Sequence, residues 1–145
     1  METGKRETTS FEEVLERDGY LAYTNVGTSM MPLLRQGLDV MEIRKKGEER
    51  CRKYDVVLYR RGDRYILHRI IKVRKKDYVI VGDHCFQKEY GITDDRIVGV
   101  LVGIVRDGKQ IDVKHDKRYR AYVHLWCDFY YIRAAILRMK YCCAQ

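Results

Sequence analysis

The sequence predicts a mainly β protein: a curled antiparallel sheet or partly open barrel, with a short N-terminal helix and a long amphipathic C-terminal helix. With 145 residues, of which 46% are hydrophobic, the chain fits one domain, residues 1–145, with a core of its own. Short runs rich in Val, Ile and Tyr alternate with turn residues through the middle of the chain. Residues 117–141 contain neither Gly nor Pro, which is typical of a long helix.

The short N-terminal helix is predicted by signals at both of its ends. Ser10 and Glu13 have the spacing of a capping box, in which each side chain bonds the backbone N–H of the other residue. Gly19 stands where a helix would end, because glycine readily adopts the left-handed conformation of a C-terminal cap. We therefore expect a helix from Phe11 to Asp18.

Seven segments are expected to form strands because they are short, rich in β-branched and aromatic residues, and bounded by turn signals. The turn signals include 61–63, 75–77 and Asp107-Gly108, the last being typical of a two-residue hairpin. Strands this closely spaced along the chain favour antiparallel pairing in a sheet that curls toward a barrel. The expected strands are 21–26, 39–44, 55–60, 65–73, 78–81, 97–105 and 111–114.

The C-terminal helix, expected at about 117–141, carries its large apolar residues at alternating spacings of three and four. This spacing places them in one stripe, which we expect to pack on the sheet or on a second copy of the chain in a homodimer. A helix lying at a membrane surface is the alternative, because Trp126 and several tyrosines accompany basic residues. The stripe consists of Tyr122, Leu125, Phe129, Ile132, Ile136, Met139 and Cys143, and Trp126, Tyr130, Ala134 and Leu137 widen it.

The net charge of +8 is concentrated toward the C-terminal end of the chain. From residue 117 onward, six basic residues face a single acidic one, Asp128. Such an excess attracts anionic lipid, nucleic acid or an acidic partner. No recognised nucleic-acid-binding motif accompanies the charge, so we do not expect nucleic acid to be the partner.

The five cysteines do not form a pattern that binds metal or builds a disulfide framework. Their number is odd, Cys142 and Cys143 are adjacent, and no Cys-x-x-Cys pair occurs. We therefore expect no metal and no cofactor. Residues 1–9 are charged and polar, and no apolar run reaches the roughly 18 residues of a membrane span. We expect a cytoplasmic protein, with peripheral membrane binding as the alternative.

A serine and a histidine are the candidate reactive residues. Ser29 lies in the glycine-led turn 27–34, and His68 lies in the expected strand 65–73. A serine hydroxyl is a weak nucleophile until a base removes its proton, and an imidazole suits that task near neutral pH. The pair therefore suggests a serine hydrolase. Taken singly, Ser29 also fits an ordinary turn residue, and His68 fits a hydrogen-bonded histidine of the core.

Several segments resemble, in order, the sequence boxes of the signal peptidase I and SOS-repressor autoprotease superfamily of serine proteases. Gly-Thr-Ser-Met-Met-Pro at 27–32 resembles the nucleophile box, and Tyr-Ile-Leu-His-Arg-Ile at 65–70 resembles the general-base box. Segments 53–59, 79–83 and 92–103 resemble the second box, the Gly-Asp turn and the closing strand. The resemblance covers a protease-like core of about 21–105. Unlike the true signal peptidases of the family, this chain is expected to lack an N-terminal membrane anchor.

The histidine in the general-base box is similar to the Ser-His type of archaeal and endoplasmic-reticulum signal peptidases. The resemblance implies acyl transfer, in which Ser29 attacks a peptide carbonyl, His68 takes its proton and a carboxylate orients the imidazole. Asp83 is the first candidate for that carboxylate, with Asp94 and Asp95 as alternatives. The implied function is a serine endopeptidase that hydrolyses peptide bonds in precursor peptides, so its expected partner is a peptide or protein substrate.

The resemblance also implies an oxyanion hole and a substrate cleft around the serine. The Ser29 backbone N–H is the natural oxyanion donor, and Thr28 or another backbone donor is expected to supplement it. Met30 would shape the cleft beside the nucleophile, and Pro32 would start a short helical turn behind it.

Two positions depart from the pattern of the family. Leu38 stands where the first box has aspartate, with Asp39 one place later, and Tyr54 replaces the glycine of the second box. These departures favour an alternative function, in which the same fold serves as a non-catalytic module that binds a peptide or a lipid.

Overall fold

The computed structural model describes residues 10–142. Its eight antiparallel strands form one open sheet, which confirms the mainly β class predicted from the sequence. The helices are α1 (Phe11–Asp18), α2 (Lys117–Asp128) and α3 (Tyr130–Cys142), and a 3₁₀ turn spans Asp94–Arg96. The strands are β1 (Tyr20–Thr24), β2 (Val40–Lys45), β3 (Val56–Arg61), β4 (Arg64–Val73), β5 (Tyr78–Val81), β6 (Glu89–Ile92), β7 (Ile97–Arg106) and β8 (Lys109–Asp112).

Helix α1 has the ends that the sequence predicts. The Ser10 hydroxyl accepts from the Glu13 N–H at 3.2 Å, and the Glu13 carboxylate accepts from the Ser10 N–H at 3.0 Å. Gly19 caps the other end in the left-handed conformation, with φ of 70°. The helix buries Leu15 against the sheet, so its local signals and its packing agree.

The strands run in the order β1-β2-β7-β3-β4-β5-β6, and β8 pairs with β7. The Asp107-Gly108 hairpin is confirmed, because both residues have positive φ and connect β7 directly to β8. Pairing starts at once after this tight turn, so β8 begins two residues earlier than predicted. The sheet is open, because β1 and β6 stand at the two ends of this order and do not pair with each other.

One strand, β6, was not predicted from the sequence. Glu89–Ile92 reads Glu-Tyr-Gly-Ile, and its charge and glycine weaken the strand pattern. It pairs with β5, where Glu89 stands opposite Ile80. This edge pairing brings the Glu89 carboxylate to the face of the sheet that also carries His68.

The sheet buries side chains on both of its faces. In β3, Val56 and Leu58 join one core cluster while Val57 and Tyr59 join the other, because successive residues of a strand point to opposite faces. The β3–β4 hairpin places Val57 opposite His68. Tyr59 and His68 therefore share one face, and Arg69 belongs to the other.

The single C-terminal helix of the prediction is divided into two. Helix α2 begins after Asp116, whose carboxylate accepts from the Tyr119 N–H at 2.8 Å, and it ends where Phe129 leaves helical geometry with ψ of 56°. Helix α3 then places Arg133 against the sheet, where its guanidinium donates to the carbonyls of Gly82, at 2.7 Å, and Cys85. The spacing of apolar residues along the sequence does not reveal this long-range contact, so the division into two helices was not predicted. In the described part of the chain, no helix is long and apolar enough to cross a membrane.

Packing on the sheet, one of the positions expected for the apolar stripe of this region, is found for Tyr122 but not for four other members. Four of its members, Leu125, Phe129, Ile132 and Met139, are between 53% and 67% exposed, and Cys143 lies outside the described residues. The side of α2 and α3 that faces the sheet instead carries several side chains with polar ends. These ends hydrogen-bond to buried groups of the sheet and of the turn that follows β5. The residues of this side are Tyr119, Tyr122, Val123, Trp126, Arg133 and Leu137.

A buried ion pair holds α2 against the sheet. Arg69 donates to both carboxylate oxygens of Asp83 at 2.8 Å, and neither side chain is accessible to solvent. The Tyr122 hydroxyl donates to Asp83 at 2.7 Å, and the Trp126 indole donates to the Asp83 carbonyl at 2.7 Å. The Tyr119 hydroxyl oxygen accepts from Arg69 at 3.2 Å. The polar tips of α2 thus complete the shell around the pair.

Replacing Asp83 with Asn preserves the shape of the side chain but leaves the Arg69 guanidinium buried without a countercharge. We expect the free energy of unfolding to fall by about 3 kcal/mol, as measured by urea unfolding followed by circular dichroism. Asp77→Asn is the matched control, because Asp77 pairs with Arg74 in an exposed hairpin, where an ion pair contributes little. Equal losses in the two variants would contradict a structural role for Asp83.

Candidate active site

The Ser29 turn is held by its own backbone and by the core beneath it. The Met31 N–H donates to the Thr28 carbonyl and the Leu34 N–H to the Met30 carbonyl, both at 3.0 Å. Met30 and Leu34 are buried in the core. The segment forms turns rather than the short helix expected behind the serine. Ser29 itself is half-buried, at the end of the sheet where β5 finishes.

Gly82 is the point at which the Ser29 turn and His68 meet. A Cβ on Gly82 would lie 2.6 Å from the Ser29 carbonyl oxygen, 2.8 Å from the Cys85 sulfur and 2.9 Å from His68 Nε2. No side chain fits there, so the close approach depends on glycine. The Ser29 carbonyl also accepts from the His84 N–H at 2.8 Å. The backbone carbonyl of Ser29 and the ring of His68 therefore both lie close to Gly82.

The other ring nitrogen of His68 faces a tyrosine and a glutamate. Nδ1 lies 3.3 Å from the Tyr59 hydroxyl oxygen, and that hydroxyl donates to Glu89 at 2.7 Å. Because the Tyr59 proton is directed at Glu89, the Tyr59 oxygen accepts from His68 and Nδ1 carries the ring proton. Nε2 is then unprotonated on the side of Ser29. This tautomer is the one that a general base requires.

Charge and burial around His68 keep its ring neutral. Burial, and to a lesser extent the nearby Arg61 cation, lower the pKa of His68 to about 4 against a raising effect of Asp83. Arg61 also donates to the Tyr59 hydroxyl at 3.2 Å and forms an ion pair with Glu89. Burial raises the pKa of Tyr59 to about 12, so its hydroxyl remains protonated. At neutral pH His68 can therefore accept a proton.

The three carboxylates predicted to orient His68 are engaged elsewhere. Asp83 binds Arg69 and Tyr122, on the opposite face of the sheet. Asp94 binds the Tyr78 hydroxyl and Arg50, and Asp95 is exposed. Among residues 10–142, none of these three hydrogen-bonds to His68. The carboxylate within ion-pairing distance of the ring is Glu89, whose oxygen lies 3.9 Å from Nδ1.

The residues expected to form the oxyanion hole and cleft take different positions. In the described part of the chain, no protein group accepts a hydrogen bond from the Ser29 N–H. Thr28 and Pro32 are exposed beside it. Met30 does not line an open cleft, because it is 2% exposed and its sulfur accepts from the Asp83 N–H at 3.4 Å.

Sequence reasoning missed Tyr59, Glu89 and Cys85. Tyr59 could have been found by pairing β3 with β4 across the turn at 61–63, which aligns Tyr59 with the His68 face. Glu89 carries no such signal, since its strand was not predicted. Burial raises the pKa of the Cys85 thiol, so this sulfur is a weak nucleophile beside the serine.

The departures from the family pattern are compensated locally. Leu38 is exposed, and the neighbouring Asp39 is fully buried between Arg35 and Arg106. Burial acts to raise the pKa of Asp39, but hydrogen bonds from Arg106 and Arg35 outweigh it and hold this pKa well below its usual range. Tyr54 adopts a left-handed φ of 77°, the conformation that favours the glycine expected there. Its hydroxyl donates to Asp128 of α2.

The described side chains around Ser29 and His68 offer no cluster of metal ligands. No group of three or more His, Cys, Asp or Glu side chains in residues 10–142 lies close enough to hold a metal ion.

A scan of the sequence against models of known protein families gives no match, and a search among curated proteins gives none either.

Proposed function

We propose that the chain is a serine endopeptidase of the Ser-His type, with Ser29 as nucleophile and His68 as general base. One observation carries this proposal: His68 Nε2 and the Ser29 turn both lie against Gly82, and the hydrogen bonds of Tyr59 assign the ring proton to Nδ1. Nδ1 is anchored by Tyr59 and Glu89.

The proposed reaction is acyl transfer in two stages. The Ser29 oxygen attacks a peptide carbonyl and its proton moves to His68 Nε2, while the Ser29 N–H stabilises the oxyanion. The C–N bond then breaks, and the leaving amine takes the proton from His68. Water repeats the sequence on the acyl-enzyme and releases the acid. Glu89 stabilises the transient imidazolium through its charge, 3.9 Å from Nδ1.

One rearrangement is required before the reaction begins. Among residues 10–142, no hydrogen bond joins the Ser29 hydroxyl to His68. Rotation of the serine side chain toward Nε2 must make this bond when the substrate binds, as catalytic hydrogen bonds often tighten only in the complex. The resemblance to signal-peptidase-like enzymes favours precursor peptides as the substrate class.

The same missing hydrogen bond supports a second candidate function. A non-catalytic module that binds peptides would keep the sheet and the half-buried turn but would not need the serine hydroxyl to meet the histidine. The two functions are distinguished by Ser29→Ala. In a binding module this variant binds peptide as the wild type does, and neither protein cleaves it.

Removing either reactive side chain should abolish cleavage. In a panel of precursor-like peptides, we expect Ser29→Ala and His68→Ala each to lower kcat/KM by at least about 10³-fold. Thr24→Ala and His115→Ala are matched controls, since both residues are exposed and lie outside the site. They should cleave at the wild-type rate. Undiminished cleavage by Ser29→Ala would refute the proposed nucleophile.

The pH profile should report the lowered pKa of His68. Only neutral imidazole accepts the serine proton, so kcat/KM should stay level from neutral pH down to about 5 and fall below about 4. An unperturbed histidine would place this fall at about 6.5, and that result would show that the histidine acting as base is not the buried His68 ring.

The lowered pKa of His68 also makes the stability of the fold depend on pH. The histidine of the unfolded chain is protonated at a higher pH than the buried one, so the free energy of unfolding declines as pH falls from about 6.5 toward 4. Circular dichroism at each pH verifies folding.

Deleting the Tyr59 hydroxyl should impair orientation of His68. Tyr59→Phe removes the acceptor of the Nδ1 proton, so we expect kcat to fall by about 10²-fold with little change in KM. Tyr65→Phe is the matched control, because Tyr65 lies on the neighbouring strand β4 and its hydroxyl donates to Glu12 of α1 instead of to a group of the site. Glu89→Gln should likewise lower kcat by removing the charge near the imidazolium. Equal kcat values for Tyr59→Phe and Tyr65→Phe would exclude the positioning role.

A further inference from the structure

The outward side of α2 and α3 exposes large apolar side chains. We call it the outer face and define it by Leu125, Phe129, Tyr131, Ile132, Arg138 and Met139. Its apolar members are between 53% and 88% exposed. Single exposed apolar residues are ordinary, but several on one helical surface indicate an interaction site.

The inner side of the same helices is already occupied. Tyr122 and Trp126 bond to Asp83, and Arg133 bonds to the carbonyls of Gly82 and Cys85. These contacts fix which side of each helix points away from the sheet. The outer face therefore cannot turn inward without breaking the shell around the buried ion pair.

Basic side chains accompany the apolar residues. Lys117, Arg118 and Arg120 are exposed on α2, and Arg138 is exposed on α3 between Ile132 and Met139 in sequence. The acidic residue of the same helices, Asp128, is bound by Tyr54 and His124. The surface thus combines an apolar centre with exposed cations, in a chain of net charge +8.

The combination of apolar side chains and cations favours an anionic lipid surface over the other partners that an apolar face could bind. In the headgroup layer of an anionic bilayer, apolar side chains reach the acyl boundary while guanidinium and ammonium groups meet phosphates. A second copy of the chain would bring the same cations together, and like charges facing each other oppose association. Nucleic acid would satisfy the cations but not the apolar centre.

A groove lies between the outer face and Phe86, which follows the Gly82–Cys85 turn in sequence. Phe86 lies opposite Tyr131, Ala134, Ala135 and Arg138 across a groove of about 550 Å³. Phe86 directly follows Cys85, whose sulfur stands beside the Ser29 carbonyl. A lipid surface against α3 would therefore lie next to the turn that carries the site.

We propose that the outer face of α2 and α3 docks the protein on the surface of an anionic lipid bilayer. The helices lie in the headgroup layer and hold the Gly82–Cys85 turn beside it. This binding does not require that the chain be a peptidase, because none of the six defining residues takes part in the proposed reaction. Lipid binding and peptide cleavage therefore succeed or fail separately.

Co-sedimentation of the full chain with vesicles tests the proposal. We expect binding to phosphatidylglycerol–phosphatidylcholine vesicles that weakens as salt rises from about 50 to about 500 mM, and much weaker binding to phosphatidylcholine alone. Leu125→Ser combined with Ile132→Ser should raise the apparent Kd by at least about tenfold. Leu38→Ser is the matched control, because Leu38 is 65% exposed and Leu125 67% exposed, and it should bind as the wild type does.

A second pair of variants separates a defined surface from general charge attraction. Arg118→Gln, Arg120→Gln and Arg138→Gln together remove three charges from the helices. Arg64→Gln, Lys75→Gln and Lys76→Gln remove three charges from exposed positions of the β4–β5 region. The helix variant should lose more binding than the sheet variant. Equal losses would overturn the proposal, since they would show attraction to net charge alone.

Two further outcomes would also overturn it. One is the absence of wild-type binding to anionic vesicles at low salt. The other is a wild-type dimer in sedimentation equilibrium that Leu125→Ser dissociates, which would assign the outer face to a second copy. Circular dichroism confirms that each variant is folded. Peptide cleavage is assayed without vesicles, so its result does not depend on lipid binding.

Discussion

The buried pair of Arg69 and Asp83 is the interaction on which the rest of the structure depends. Removing two charges from water costs several kcal/mol per ion, and this cost is offset only because every polar atom of the pair is bonded. Asp83 receives two bonds from Arg69 and one from Tyr122, and Arg69 also donates to the Tyr54 carbonyl at 2.9 Å. The pair thereby joins β4, the end of β5 and α2, and its sequence neighbours are His68 and Gly82.

This arrangement separates the structural carboxylate from the one beside the imidazole. Alternation along β4 sends Arg69 to one face and His68 to the other, so Asp83 is saturated on the face opposite the ring. Orientation of His68 then falls to Tyr59 and Glu89, which reach it from the second core cluster. The low pKa of His68 follows from the same burial. A partly hydrated ring would have a higher pKa, so a larger fraction of it would already be protonated near pH 5 and unable to accept another proton.

The parts of the fold that local chemistry specifies could be predicted from the sequence. The capping box of α1 and the Asp107-Gly108 turn each depend on a few adjacent residues, and both were confirmed. The serine turn and the histidine strand were found in the same way, from neighbouring residues. What could not be predicted arises from contacts between distant residues. The break at Phe129 accompanies a bond from Arg133 to Gly82, and the approach of Glu89 to His68 depends on an edge strand whose own sequence is unfavourable.

Gly82 shows how narrow the tolerance of such a site can be. Three atoms from three different segments crowd the space that any β-carbon would fill, so nineteen of the twenty amino acids are excluded by volume alone. Substitution at this position would force the serine turn away from the imidazole without changing the side chain of Ser29 or His68. The packing of three segments at this end of the sheet therefore depends on a position that has no side chain at all.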